Sequence, residues 1–253
     1  MTISTTQRLR LSLATALTLL VLCFAVMAPS SLLFAGDNEN QGRRFEVTVT
    51  NLTNGQRFTP ILVASHKQGL KLFELGQSAS LQLETLAEDG DTGPLTNLLR
   101  GLPEVLDVTD SGALLPMGLL SPGASVTLFI QTRGAFDHIT VASMLIPTND
   151  AFFALNGVEG PSGNKTMTYL SPAYDAGTER NDEICRPGEP KGSIPGPDCM
   201  TPPPSGLGTA ENSVVHIHSG IHGTGGGVAT SNLNPSMRDW RNPVAKVTIR
   251  RVN

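Results

Sequence analysis

The sequence predicts an all-β protein, an antiparallel β-sandwich with a short helical insert and a long Pro/Gly loop. Three observations point there. Short segments alternate apolar and polar residues with turn signals between them. Gly 26 and Pro 18 in a chain of 253 residues, with only 16% charged residues, favour a loop-rich β protein over a helical bundle. A hydrophobic content of 39% is enough to build a core.

The first strand is FEVTVTNLT, Phe45 to Thr53, where inward and outward residues alternate up to the Asn54-Gly55 turn signal. FTPILVASH, Phe58 to His66, reads as a second strand, and the two are expected to pair as a hairpin. Over 70–88 the period changes, with Leu75, Ala79, Leu83 and Leu86 at helical spacing. TNLLRGLPEVLDV offers a further helical turn before Pro103 interrupts it. After Ser121-Pro122-Gly123, ASVTLFIQT and FDHITVASMLIP return to β-branched and aromatic residues, with TRGAFD as the turn. MTYL is another strand, and 171–212 is expected to be irregular. VVHIH reads as a short strand, GIHGTGGG as a loop and PVAKVTIRRV as the closing strand.

The first 35 residues are expected to be a signal peptide. Arg8 and Arg10 precede the apolar run LSLATALTLLVLCFAVMA, and small residues lead to Ala35-Gly36. Cys23 belongs to that run. Its length approaches a bilayer span, so a retained anchor is the alternative. With 1–35 removed, residues 36–43 form a linker and 44–253 the domain; the formal charge of -4 loses two arginines and becomes about -6. Cys185 and Cys199 bracket a Pro/Gly segment, and in an oxidising compartment they are expected to form a disulfide contributing about 3 kcal/mol in the chain-entropy account.

SMLIPTNDAFFAL places Asn149 and Asp150 between two apolar runs. A carboxylate there either caps a turn or faces a cation, because a buried charge needs a partner. YDAGTERNDE adds Asp175, Glu179, Asp182 and Glu183 on a distant loop. Calcium takes six to eight oxygens, which clustered loops can supply, although acids are also ordinary turn residues.

VASMLIPTNDAFFAL, YDAGTE and NPVAKVTIRRV resemble segments of the spondin N-terminal domain family, over about Arg44 to Val252. The resemblance implies an extracellular sandwich of about eight strands with a calcium site at one edge. It carries metal-ligand roles to Asp150 and Asp175. The family's third ligand is a Glu on the preceding strand; counting back without gaps lands on Gln131, a neutral amide oxygen in place of a carboxylate. Glu179 keeps the acid after Gly-Thr. The family also implies adhesion, through a cell-surface or matrix protein or a glycan.

VVHIHSGIHG holds His216, His218 and His222. Residues two apart on a strand share a face, so a copper or zinc site is one reading and a polar strand face the other. His66 and His138 are expected to be surface or capped residues. No basic cluster beyond short Arg-Arg pairs recommends nucleic acid as a partner. No Gly-x-Ser-x-Gly elbow is present, and no enzyme is expected. The expectation is therefore a secreted, periplasmic or cell-surface calcium-binding module with no membrane span after cleavage. The alternative is an exported copper- or zinc-binding protein.

Overall fold

The architecture is described from a computed structural model that covers residues 42–184, 213–223 and 231–252. In chain order the strands are β1 (Arg43–Asn51), β2 (Arg57–Phe58), β3 (Leu62–His66), β4 (Val105–Asp110), β5 (Ser125–Thr132), β6 (His138–Ile146), β7 (Ala151–Glu159), β8 (Thr166–Ser171), β9 (Ala173–Asp175), β10 (His216–Ile217) and β11 (Ala245–Val252). Helices α1 (Leu81–Asp89) and α2 (Gly93–Arg100) form the insert, and a single-turn helix, α3 (Pro235–Arg238), precedes β11. One sheet has the order β5-β1-β11-β8; the other runs β10-β9-β7-β6-β3-β4, with β2 also on β6. All pairings are antiparallel, so the sandwich expected from the sequence is the fold observed.

The two sheets differ in how their residues alternate, and burial explains why. In β1, Phe45, Val47 and Val49 face the core while Glu46, Thr48 and Thr50 face out, as a sheet with one wet face requires. The outer face carries paired hydroxyls, Thr48 with Thr127 at 2.9 Å and Thr50 with Ser125 at 2.8 Å. β6 and β7 instead read as near-continuous apolar runs, because their sheet is covered on both sides. Phe58, Val141, Leu145 and Phe153 pack toward β1, β5 and β11, with the Phe58 and Phe153 rings 4.6 Å apart. On the opposite face Leu62, Ala142 and Phe152 pack against Leu83, Leu86, Leu95 and Leu99 of the helical insert.

The insert is shorter than its apolar period implied. Ser80 caps α1 by accepting from Leu83 N–H at 3.3 Å, so Leu75 falls outside the helix and is exposed. Gly90 ends α1 at φ 68, where the Thr59 side chain would stand 2.4 Å from an added Cβ.

Three expectations are corrected. The hairpin of Phe45–Thr53 with Phe58–His66 does not form: β1 pairs β5 and β11, whereas β3 pairs β4 and β6. The cause is local. Asn51 is buried and its amide donates to the carbonyls of Gln56 at 2.8 Å and Leu120 at 3.1 Å, turning the chain across to the other sheet. β9 interrupts the stretch expected to be irregular, whereas α2 supplies the helical turn expected before Pro103, with LDVTD following as edge strand β4 beside β3. His66 is fully buried, with Nδ1 at 2.8 Å from the Lys67 carbonyl and Nε2 at 2.8 Å from Thr140 Oγ1; burial pushes its pKa down.

The expected leader 1–35 and the Cys185–Cys199 pair lie outside the described residues. Among those described, no helix is long and apolar enough to cross a membrane.

Phe153→Ala should destabilise the fold by about 3–5 kcal/mol, since it empties the centre of the inter-sheet core. Exposed Leu170→Ala should cost under about 0.5 kcal/mol. Urea denaturation of both variants checks the difference.

Candidate functional site

The topology gathers the acids. β6 and β7 are joined by the turn 147–150, which begins at a cis Ile146-Pro147 bond. The Thr148 hydroxyl fixes it, donating to the Leu145 carbonyl and accepting from Ala151 N–H at 3.2 Å. β9 pairs with β7 so that Asp175 lies opposite Ala151, the residue after Asp150. β10 then pairs with β9 so that His216 lies opposite Asp175. Residues scattered over 150–218 therefore meet at one end of the helix-covered sheet.

Asp150 is fully buried. Its Oδ2 accepts from Thr178 N–H at 2.8 Å, Glu179 N–H at 3.0 Å and the Thr178 hydroxyl at 3.2 Å. Its Oδ1 is buried with no hydrogen-bond partner. Burial pushes the carboxyl up to about 7 and the negative field of Asp175 adds to this, while the N–H donors of Glu179 and Thr178 pull the other way. Asp175 is 1% exposed; its Oδ1 accepts from Gly177 N–H at 2.7 Å and its Oδ2 from the Asn181 amide. The same Oδ2 lies 3.6 Å from His216 Nε2 and 3.9 Å from His218 Nε2.

The two histidines present opposite tautomers to that oxygen. His216 Nδ1 stands 2.9 Å from the Val214 carbonyl, which can only accept, so Nδ1 carries a proton and the lone pair of the neutral ring is on Nε2. His218 Nδ1 accepts from Gly220 N–H at 3.0 Å, so the proton sits on Nε2, 3.2 Å from Asn181 Oδ1. Burial pushes His218 down to about 4, offset in part by Asp175. Its ring packs on Trp240 at 5.0 Å.

Other expected ligands stand apart. His222 is exposed, with Nε2 at 3.1 Å from Ser219 Oγ. The three-histidine arrangement does not form, because Gly220 N–H occupies the nitrogen His218 would have to protonate in order to bind a metal through Nε2. Glu179 gives its N–H to Asp150, while its carboxylate accepts from the Asn149 amide at 3.4 Å. Gln131 is exposed on β5 in the other sheet, bonded through its main chain to Asp107 and Ser65. Ser65 pairs with Ile139, seven residues before Ile146, about 23 Å along the strand at about 3.3 Å per residue. Gapless counting put Gln131 on the right strand in sequence but at the far end of the sandwich. Among the described residues, no group of three or more His, Cys, Asp or Glu side chains is arranged to hold a metal ion.

Asn181 was not singled out by sequence reasoning, and Glu183 was named there only as one of the loop acids, without a role. Asn181 bridges Asp175 and His218 through its two amide atoms. Glu183, at φ 57, clamps the histidine loop: its carboxylate accepts from Gly223 N–H at 2.9 Å, from His222 N–H and from the Ser231 hydroxyl. The acid-rich RNDE stretch was the available signal; which acid binds which loop was not written in its spacing.

The family model Spondin_N matches residues 48–190. The chain belongs to the spondin N-terminal domain family. The match spans more than half of the 253 residues and includes Asp150, Asp175 and Glu179, but it ends before His216 and His218. No curated protein matches the chain. In this spondin domain a cation meets a partial fit: two adjacent buried carboxylates, one with an oxygen lacking any donor, and the neutral Asn181 oxygen nearby.

The pH dependence of the metal-free protein follows from two opposed groups. Asp150 titrates at 3.8 unfolded and about 7 folded, so its contribution falls as pH rises between those values. His218 titrates at 6.5 unfolded and about 4 folded, so its contribution rises with pH over that window. The two oppose each other between about pH 4 and 6.5. Asp150→Asn should therefore make stability climb with pH there more steeply than in the parent, read as urea midpoints; an unchanged profile would contradict the assignment.

Proposed function

We propose that this spondin-domain chain is an exported, non-enzymatic binding module whose edge loops are ordered by calcium. The observation that carries the reading is Asp150 Oδ1, buried without a donor beside a second buried acid. Such a pair is costly when both groups ionise, and a hard divalent cation removes the cost. Asp150 and Asp175 are the residues that would hold it; the neutral Asn181 oxygen nearby would join them only by giving up its bond to His218 Nε2. The cation would tie the 147–150 turn to the 175–183 loop, two segments that otherwise rely on hydrogen bonds through Asp150 Oδ2.

A fixed loop edge on a rigid sandwich is a surface for recognition, and it uses the two acids as ligands rather than as reactants. The partner class is a cell-surface or matrix protein or a glycan. The leader-like N-terminal sequence supports the exported part of this reading, whether secreted, periplasmic or on the cell surface.

One observation favours a second reading, an exported copper- or zinc-binding protein. The Val214 carbonyl holds His216 in the tautomer whose Nε2 lone pair faces Asp175, the arrangement a metal-ligating imidazole adopts. Imidazole and carboxylate together select copper or zinc over calcium.

Isothermal titration of the metal-free protein separates them. Calcium should bind at one per chain, at least about tenfold more weakly in Asp175→Ala, because affinity follows ligand charge. His216→Ala should leave it essentially unchanged. Absence of calcium binding, with copper or zinc bound and lost in His216→Ala, would replace the first reading by the second.

A further inference from the structure

A cavity of about 310 Å³ opens between the Asn54-Gly55 turn, Pro122 and α3. Two guanidiniums line it, those of Arg57 and Arg238, and no carboxylate does. Arg238 is committed: its Nη1 donates to the Gly55 carbonyl. Arg57 is half-buried, and among the described residues its guanidinium has no hydrogen-bond or ion-pair partner. A guanidinium that lines a cavity without a counter-ion keeps its paired N–H donors open to an anion.

The walls are preformed. β2 pairs with β6, setting Arg57 opposite Ile146, and Phe58 exchanges main-chain hydrogen bonds with Leu120. The Gln56 amide donates to the Arg238 carbonyl at 2.8 Å, tying the turn to α3. Gly55 lies so close to α3 that a Cβ there would stand 1.8 Å from the Met237 oxygen, so only glycine fits. The exposed Met237 side chain and Pro122 give the mouth an apolar edge.

We propose that this cavity binds a small organic carboxylate, with the planar fork of Arg57 taking the carboxylate and Pro122 and Met237 contacting a short carbon chain. Arg presents two parallel N–H donors that match a carboxylate, and the volume is at the small end of ligand pockets. The inference does not depend on a cation at Asp150, which other loops would hold.

The test titrates the full exported chain with succinate, with sulfate and with neutral succinamide, following the Arg57 and Arg238 side-chain N–H resonances. Saturable shifts with succinate, none with succinamide, at least tenfold weaker binding in Arg57→Gln and parental binding in Asp150→Asn are expected. If Arg57→Gln does not fold, Ser236→Phe, which fills the cavity from an exposed helix position, should abolish binding in its place. Absence of saturable binding, or binding indifferent to both variants, would overturn the proposal. Sulfate binding as tightly as succinate, with the same dependence on Arg57, would overturn the carboxylate assignment in favour of a tetrahedral-anion site.

Discussion

Asp150 closes a pair of strands that have no wet face. β6 and β7 are packed against the partner sheet on one side and the helical insert on the other, so the residue that turns between them is buried whatever its chemistry. Placing a carboxylate there forces the surrounding loops to answer it. Thr178 and Glu179 bring main-chain N–H groups to one oxygen, which fixes the loop after β9 against the turn after β6. That docking sets Asp175 next to Ala151 and, through β10, sets His216 opposite Asp175. The bonds of Glu183 to His222, Gly223 and Ser231 extend the same arrangement outward.

The electrostatics of this end are balanced by opposed preferences. Burial makes ionised Asp150 expensive and makes charged His218 expensive as well, so both groups favour their neutral forms. Asp175 is the pivot between them: its field raises Asp150 and supports a proton on His218. Asn181 satisfies both neighbours at once, donating to Asp175 and accepting near His218 Nε2. A site built this way keeps one carboxylate oxygen undonated.

What could be read from the sequence follows from what each signal measures. Alternation in FEVTVT reports one buried face and was legible; the unbroken apolar runs of β6 and β7 carry the signal of two buried faces, which the sequence reading did not draw. The hairpin was misread because neighbourhood in sequence was taken for pairing, whereas the Asn51 amide sends the chain across the sandwich. Asp150 and Asp175 were singled out because their flanking residues are distinctive, and the structure buries both at one end of the sheet. The histidines were located but not their roles, since a tautomer depends on which backbone group reaches each nitrogen, Val214 for one and Gly220 for the other. Gapless counting fixes a strand but not which end of it lies near the turn, and Gln131 sits beside Ile139, at the end of β6 away from Asp150.

The account rests on Asp150 being a buried acid with an oxygen free for a cation. Carboxyl-carbon NMR titration of Asp150, in metal-free protein and again with saturating calcium, tests this directly. A pKa near 7 without metal, falling by two or more units with calcium, is the predicted result. A metal-free value near 4, or one that calcium leaves where it was, would contradict it.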